Sequence, residues 1–274
     1  MAKIIKKNSE LEADYNFHRK KGKSFLLFAL PGVGGIILSV LFIFFAVGIA
    51  AVLSSIFKAF GVSVIATGAV GIIGFVLFAI SALYSFIMFA ISIYHFNRAH
   101  IYGMGLAGES ATADIIARLP AGFYGIQNGV VSFEGKKSEL DMVVVGPTGV
   151  FVVETKNRNG EIRGNYEDRN WTQYKVGRGG TPYSNDFYSP VKQVGTHIYR
   201  LAHFLRSRGA KVHIDGAVYL SNPEADVYIG GTPGNIPVFS YSTGGETALL
   251  RYITSGNAQL DAETIGKVCK LLIK

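Results

Sequence analysis

Two carboxylates lie in segments whose other residues predict buried β-strands. Asp141 belongs to the valine-rich segment 140–145 and Glu154 to the segment 150–156, and a Gly-Pro-Thr-Gly turn joins the two. Apolar, β-branched runs on either side of such a turn predict a hairpin. An acidic side chain in a buried strand is costly unless its charge is compensated. The two residues are therefore candidates for a functional site.

The register of this hairpin decides whether the two carboxylates meet. If Gly146 pairs with Gly149, Asp141 lies opposite Glu154 with Cβ atoms about 5 Å apart, and two like charges this close favour a bound divalent cation. Lys156 would then share the face of Glu154 and complete the outline of a phosphoryl-transfer site. If the turn is instead a three-residue loop, the two carboxylates lie on opposite faces. Both strands are apolar on both faces, so the pattern leaves the two registers open.

The segment from Gly108 to about Arg208 resembles the nuclease-related domain (NERD), a branch of the PD-(D/E)XK nuclease superfamily. The resemblance rests on motifs that occur in the order Gly108-Glu109, Leu140-Asp141, 149–157 (GVFVVETKN), 160–164 (GEIRG), Trp171 and 190–193 (PVKQ). It implies an α/β fold in which helices flank a mixed sheet, and it implies metal-dependent cleavage of nucleic acid. The sequence departs from many members of the family in having methionine, not histidine, after Asp141.

The resemblance also implies a set of metal ligands. Asp141, Glu154 and the backbone carbonyl of Thr155 would bind Mg²⁺, with Mn²⁺ as an alternative, because all three are hard oxygen donors. Glu109 would complete the coordination directly or through water. From the residues alone, Glu109 has a second interpretation: it stands in the first turn of a predicted helix, 109–119, where a carboxylate also stabilises the helix dipole.

Two further residues have implied catalytic roles beside Glu109. Lys156 would orient or deprotonate the attacking water, and Gln193 would position that water or the scissile phosphate. Gln193 also lies on a polar stripe of a predicted helix together with His197 and Arg200, and such a stripe is often only a solvated face. Basic side chains that could contact a nucleic-acid backbone are Arg158, Arg163, Lys192 and Arg200.

The N-terminal third of the chain predicts a membrane hairpin. Residues 24–57 and 59–94 carry no charge, and each stretch exceeds the roughly 20 apolar residues that a membrane-spanning helix needs. The predicted turn lies near Lys58. Residues 1–23 contain seven Lys or Arg against three Asp or Glu. The positive-inside rule therefore places both termini and the nuclease-like domain in the cytoplasm, at the inner face of the cell membrane.

These features divide the chain into four predicted parts. Residues 1–23 form a basic tail that touches the lipid bilayer, and 24–96 form two transmembrane helices. Residues 97–107 form a flexible linker. The Gly-x-Gly-x-x-Gly pattern at 103–108 is not a dinucleotide-binding motif, because no strand precedes it. Residues 108–274 form the nuclease-like domain, with its core at 108–208.

The sequence as a whole predicts a membrane-anchored, Mg²⁺-dependent endonuclease that acts on DNA, with RNA as an alternative substrate. A second interpretation stays open, in which a catalytically inactive domain tethered to the membrane binds nucleic acid or a protein. Residues 97–274 contain 19 Lys or Arg and 16 Asp or Glu. The sequence pI of about 9.4 therefore owes much to the basic tail and does not by itself identify nucleic acid as the partner.

Overall fold

The computed structural model describes residues 1–6, 9–59, 66–177 and 179–273. They form two compact units. Unit 1 contains Met1–Glu12 and Gly103–Lys274, and unit 2 contains Ala13–Tyr102.

Unit 1 is built around a central six-stranded sheet. Its order is β1-β2-β3-β4-β8-β10, in which β2, β3 and β4 are antiparallel neighbours and the other neighbouring pairs are parallel. The strands, numbered along the chain, are β1 (Lys3–Lys6), β2 (Tyr124–Phe133), β3 (Lys136–Gly146), β4 (Gly149–Lys156), β8 (Ile214–Leu220) and β10 (Val238–Ser240).

A second, four-stranded sheet has the order β7-β6-β5-β9. It consists of β5 (Gly160–Asn165), β6 (Asn170–Val176), β7 (Pro182–Tyr188) and β9 (Ala225–Gly230). Trp171 is a packing residue, because its ring is fully buried against Ile162, Val194 and Leu220. Its Nε1–H donates to the Asn165 carbonyl at 3.0 Å.

Helices cover both faces of the central sheet, which explains why its strands are apolar on both faces. The helices are α1 (Glu10–Ala59), α2 (Ala66–Ala117), α3 (Pro190–Ser207), α4 (Gly245–Thr254) and α5 (Ala262–Ile273). On one face Val143 and Val152 pack with side chains of α3 and α5. On the other, Val144 and Phe151 pack with side chains of α2 and α4. The predicted α/β class with a mixed sheet flanked by helices is confirmed.

The predicted N-terminal tail is wrong in its first residues, because they belong to the central sheet. Strand β1 pairs in parallel with β2, and Ile4 packs against the core that α2 covers. Ile4 and Ile5 are partly buried at the sheet edge, while the flanking Lys3 and Lys6 are exposed. Lys6 also forms an ion pair with Glu12, at 3.0 Å.

The predicted flexible linker at 97–107 is also wrong, because these residues continue helix α2 without interruption. The glycines serve close packing. A Cβ at Gly105 would stand 2.9 Å from Leu11 Cδ2, and one at Gly108 would stand 2.7 Å from Asn157 Cβ. Glu109 consequently lies deep in α2 and not in a first turn, so the helix-dipole interpretation of this carboxylate does not apply.

Unit 2 is a pair of long apolar helical segments from α1 and α2. Both helices are long and apolar enough to cross a membrane, judged by length and composition. Small residues bring the segments together: Ser92 Oγ donates to the Gly22 carbonyl at 2.9 Å. Lys58 lies in the last turn of α1, and the predicted turn beyond it falls on residues 60–65, outside the part of the chain that the structure describes.

Candidate active site

The β3–β4 hairpin brings the two strand carboxylates together. Gly146 pairs with Gly149, and the register continues regularly towards the site, so the alternative with a three-residue loop is wrong. The paired residues end at Met142 and Val153, and Asp141 and Glu154 are the next residues along the two strands. The backbone N–H of Thr155 donates to Asp141 Oδ2 at 2.9 Å. The hairpin therefore holds both acids at one end of the paired strands.

Glu154 is almost fully buried and lies between two basic side chains. Its carboxylate is 1% exposed, and Lys156 Nζ lies 2.6 Å from its Oε1. His197 Nε2, from α3, lies 3.4 Å from the other oxygen, Oε2. This contact is close enough for an ion pair if the imidazole is protonated. Among the described residues, Oε2 has no hydrogen-bond partner.

The environment moves the pKa values of the two strand acids in opposite directions. Burial raises the pKa of Asp141 well above its ordinary value, and the negative charge of Glu154 raises it further. Burial alone would also raise the pKa of Glu154, but the His197 imidazole and the Lys156 ammonium together hold it below its ordinary value. The surroundings thus favour the charged form of Glu154 and disfavour the charged form of Asp141.

Glu109 approaches the same cluster from α2. Its side chain is 8% exposed, and burial, followed by the charge of Glu139, raises its pKa to about 7 although Gln127 donates a hydrogen bond to it. The negative charge of Glu154 also raises the pKa of Glu109, and the negative charge of Glu109 raises the pKa of Asp141. Its Oε2 is buried and makes no hydrogen bond to any described residue. Glu109 is therefore near enough to the strand carboxylates for the negative charges to influence one another.

The donor set fits a small divalent cation in its chemistry. Two buried carboxylate oxygens, one each on Glu109 and Glu154, lack partners within the described part of the chain. A cation would also relieve the repulsion that raises the pKa of Asp141. In the same residues, no three His, Cys, Asp or Glu side chains stand close enough to surround an ion by themselves. Backbone oxygens and water would have to complete the shell, which is the usual state of protein-bound Mg²⁺.

Helix α3 supplies Gln193 and His197 to the site. Pro190 begins the helix, and its buried side chains, including Val194 and Leu201, fix its position over the sheet. Gln193 Nε2 lies 3.4 Å from His197 Nε2, so Gln193 reaches Glu154 only through the histidine. His197 was not predicted from the sequence as a site residue. Its position four residues after Gln193, on one helix face, was the signal that could have found it.

The four basic residues predicted to contact a nucleic-acid backbone differ in how far other side chains already engage them. Arg200 donates to Ser138 Oγ at 2.6 Å, and its role in binding a phosphate backbone is thereby weakened. Arg158 donates to Gln173 at 2.9 Å and lies 4.2 Å from the centroid of the Phe187 ring. Arg163 is exposed and forms an ion pair with Glu161 on the second sheet, and Lys192 is exposed near the beginning of α3.

A buried polar contact that the sequence did not predict joins α2 to the site strand. Thr112 Oγ1 lies 2.8 Å from Thr155 Oγ1 and donates to the Gly108 carbonyl at 3.0 Å. Asn157, just beyond β4, donates through its amide to the Met104 carbonyl at 2.7 Å. These contacts position the turn of α2 that carries Glu109 against the end of β4.

Strand β2 takes an unusual conformation beside the site. Asn128 has a φ of 57°, in the left-handed region, and is 1% exposed. It lies between two regular pairs of the β2–β3 ladder, at the level of Asp141. Left-handed backbone in residues other than glycine is costly and is often found at functional sites.

Replacing Asn128 should separate backbone strain from side-chain interactions. Asn128→Ala and Asn128→Gly both remove the amide, but only alanine keeps a Cβ that the left-handed conformation disfavours. We expect the glycine variant to be more stable than the alanine variant by about 1 kcal/mol, or roughly 2–4 °C in Tm. Thermal melts of the full chain measure this difference. Equal Tm values would show that the conformation at this position costs nothing.

Comparison with known proteins places this site in a family. Residues 104–221 match the family model of the nuclease-related domain. A curated protein of Bacillus anthracis, described as uncharacterized, is 36% identical over 92 residues, which is 33% of this chain and 43% of that protein. The chain thus matches less than half the length of this relative. No solved structure matches the chain significantly.

The matched segment contains Glu109, Asp141, Glu154, Lys156 and Gln193, and it ends just after β8. It therefore covers every residue proposed from the sequence for the metal site and for catalysis. Segment 104–221 of this chain is a nuclease-related domain, whose usual context is the PD-(D/E)XK superfamily.

Proposed function

We propose that this protein is a membrane-anchored, metal-dependent nuclease that hydrolyses phosphodiester bonds, and that it acts as an endonuclease on DNA. One observation carries the proposal: the buried acid Glu154 and the partly buried acid Asp141, whose pKa values are shifted in opposite directions, lie near Lys156 within the segment that matches the nuclease-related domain. Placing two acids near one another in a sheet costs free energy, which favours a functional role over a purely structural one.

Asp141, Glu154, the Thr155 carbonyl and Glu109 would hold the cation, which we propose to be Mg²⁺ or Mn²⁺. When bound, it would neutralise charge on the phosphate and lower the pKa of a bound water. The buried, unpartnered oxygens of Glu109 and Glu154 support this assignment. Glu109, with a pKa of about 7 before a cation binds, would become fully ionised once a positive charge stands beside it.

Lys156 would act on the attacking water and on the phosphate. Its ammonium is anchored by Glu154 at 2.6 Å, yet its side chain is 23% exposed. It can therefore donate a further hydrogen bond to a solvent-side oxygen while it stays in place. Gln193 would help to position the same water or phosphate, and Lys192 and Arg163 are exposed cations that could contact the backbone of the substrate.

The test is an assay of the full chain, purified in detergent, with labelled nucleic acids. Supercoiled circular DNA, linear DNA and RNA are incubated with Mg²⁺, with Mn²⁺ and with EDTA. We expect nicking of circular DNA that requires a divalent cation. Binding without cleavage under all ionic conditions would instead identify a catalytically inactive nucleic-acid-binding domain, and neither binding nor cleavage would favour a protein partner.

We further propose that both apolar helices span the cell membrane, with both termini in the cytoplasm. The excess of basic residues before the first span supports this orientation. A fluorescent protein fused after Lys274 should be bright, and alkaline phosphatase at the same position should be inactive. A phosphatase inserted between residues 60 and 65 serves as the control and should be active. Phosphatase activity after Lys274 would reverse the proposed orientation.

A further inference from the structure

One face of helix α3 carries a row of basic and aromatic side chains beside the proposed catalytic site. Lys192, Thr196, Tyr199, His203 and Arg206 follow one another at alternating spacings of four and three residues, so they share one face of the helix. We propose that this row, the α3 stripe, binds a single strand of the DNA substrate, with one unpaired base stacked on the ring of Tyr199. This inference rests on the proposed nuclease function and specifies that the substrate is single-stranded next to the site.

The α3 stripe lies next to the residues of the same helix that approach the strand carboxylates. Gln193 directly follows Lys192, and His197, four residues after Gln193, lies with its Nε2 3.4 Å from Glu154 Oε2. The stripe is about 21 Å long, at a rise of 1.5 Å for each helical residue. A strand that lies along it therefore has one end, at Lys192, beside the proposed site.

The charge of α3 is complementary to that of a nucleic-acid backbone. The helix contains Lys192, Arg200 and Arg206 and no acidic residue. Lys192 and Arg206 are exposed, and neither forms an ion pair with a residue that the structure describes. The turn between β2 and β3, beside the helix, adds Glu134 and Lys136, whose formal charges cancel. The two cations at the ends of the stripe can therefore each contact a phosphate.

Tyr199 presents an ordered aromatic surface between these two cations. It is 54% exposed, and the centroid of its ring lies 4.4 Å from that of His203 and 6.1 Å from that of Phe133, the last residue of β2. The His203 ring in turn stacks on Phe133, with centroids 4.5 Å apart and an angle of 24° between the planes. Because its neighbours already restrict the Tyr199 ring, it loses little conformational freedom when a base stacks on it.

Stacking on a side chain selects single strands over duplexes. In a duplex each internal base is covered on both faces by its neighbours, so it can reach Tyr199 only after unstacking, which costs free energy. An unpaired base is free to stack, and its stacking on an aromatic side chain depends little on which base it is. The phosphate contacts of Lys192 and Arg206 are available to both forms. The Tyr199 ring is thus the part of the stripe that distinguishes them.

The test measures binding in EDTA, where metal-dependent cleavage does not occur. The full chain in detergent is titrated into a fluorescent single-stranded DNA oligonucleotide and into the corresponding duplex, and anisotropy is recorded. We expect tighter binding of the single strand. Tyr199→Ala should weaken single-strand binding by at least about 5-fold and leave duplex binding unchanged, whereas Tyr199→Phe should retain both. Tyr241→Ala is the matched control, because Tyr241 is 46% exposed and lies outside α3.

Two further variants test the phosphate contacts separately from the ring. Lys192→Gln and Arg206→Gln should each weaken the binding of single strands and duplexes alike and should reduce the salt dependence of binding. Unchanged affinity and salt dependence in both variants would overturn the proposed path of the strand along α3.

A cross-linking measurement on the wild type keeps the test decisive if Tyr199→Ala does not fold. Single-stranded DNA that contains iodouracil is irradiated with the protein, and the attached peptide is identified by mass spectrometry. We expect attachment at Tyr199, because iodouracil reacts on irradiation with an aromatic ring that is stacked on it. Cross-links that form only at other residues would overturn the inference.

The outcomes separate this inference from the proposed nuclease activity. Equal affinity of the wild type for single strands and duplexes, or unchanged single-strand affinity in a folded Tyr199→Ala variant, would overturn this inference alone if metal-dependent cleavage persists. Single-strand binding that depends on Tyr199, without cleavage under any ionic condition, would support the α3 stripe and overturn the nuclease activity. Failure to bind either form of DNA would overturn both.

Discussion

Replacing Lys156 with arginine should lower phosphodiester cleavage by at least about 100-fold while the protein stays folded. Arginine keeps a positive charge beside buried Glu154, so the ion pair survives. Its planar guanidinium is much harder to deprotonate and presents its donors in a different geometry, so it cannot replace the ammonium beside the water. The measurement is the rate of nicking of circular DNA with saturating divalent cation, together with the Tm of each protein.

Alanine at the same position provides a second comparison. Lys156→Ala should also lose cleavage, but it should be less stable than Lys156→Arg, because it removes the partner 2.6 Å from a carboxylate that is 1% exposed. Lys270→Arg, on the exposed face of α5, is the matched control and should retain full activity. Cleavage by Lys156→Arg at the wild-type rate would mean that the lysine serves only as a structural partner of Glu154.

Replacing Asp141 with asparagine should abolish cleavage and leave the metal-free protein at least as stable as the wild type. A neutral amide is a much poorer ligand for Mg²⁺ than a carboxylate. Asparagine can still accept the hydrogen bond from the Thr155 N–H, and it removes the repulsion from Glu154. We expect an unchanged Tm or an increase of about 2–4 °C in EDTA, equivalent to up to about 1 kcal/mol.

The metal dependence of the same melts completes this test. Mg²⁺ or Mn²⁺ should raise the Tm of the wild type and of Asp114→Asn, a control at an exposed position of α2, but should have little effect on Asp141→Asn. A large loss of metal-free stability in Asp141→Asn, together with a wild-type Tm that does not respond to cations, would exclude a nuclease site at this position.

The stability of the metal-free protein should also depend on pH with a definite sign. The folded state raises the pKa values of Asp141 and Glu109, the latter from 4.5 to about 7. The folded protein therefore binds more protons than the unfolded chain in this range, and its stability falls as the pH rises towards about 7. Asp141→Asn should weaken this dependence, and a saturating divalent cation should abolish most of it. Melts in EDTA between pH 5 and pH 8 measure the slope.

Local sequence patterns were enough to predict the β3–β4 hairpin, helix α3 and the two long apolar helices. The Gly-Pro-Thr-Gly turn between two valine-rich runs was enough to predict the β3–β4 hairpin, and Pro190 before an apolar stripe predicted α3. The two uncharged stretches predicted two long apolar helices. In each case the information lies within about ten to thirty residues, because turn chemistry and the periodicity of apolar residues act over that distance.

The tertiary structure decided what depends on residues far apart in the chain. The two hairpin registers were equally compatible with strands that are apolar on both faces, and only the structure shows that Gly146 pairs with Gly149 and Met142 with Val153. The glycines before Glu109 suggest a linker locally, yet close contacts with Leu11 and Asn157 hold them in a helix. His197 entered the site only because α3 packs across β4. Such contacts are determined by the shape of the whole core, and no local pattern encodes them.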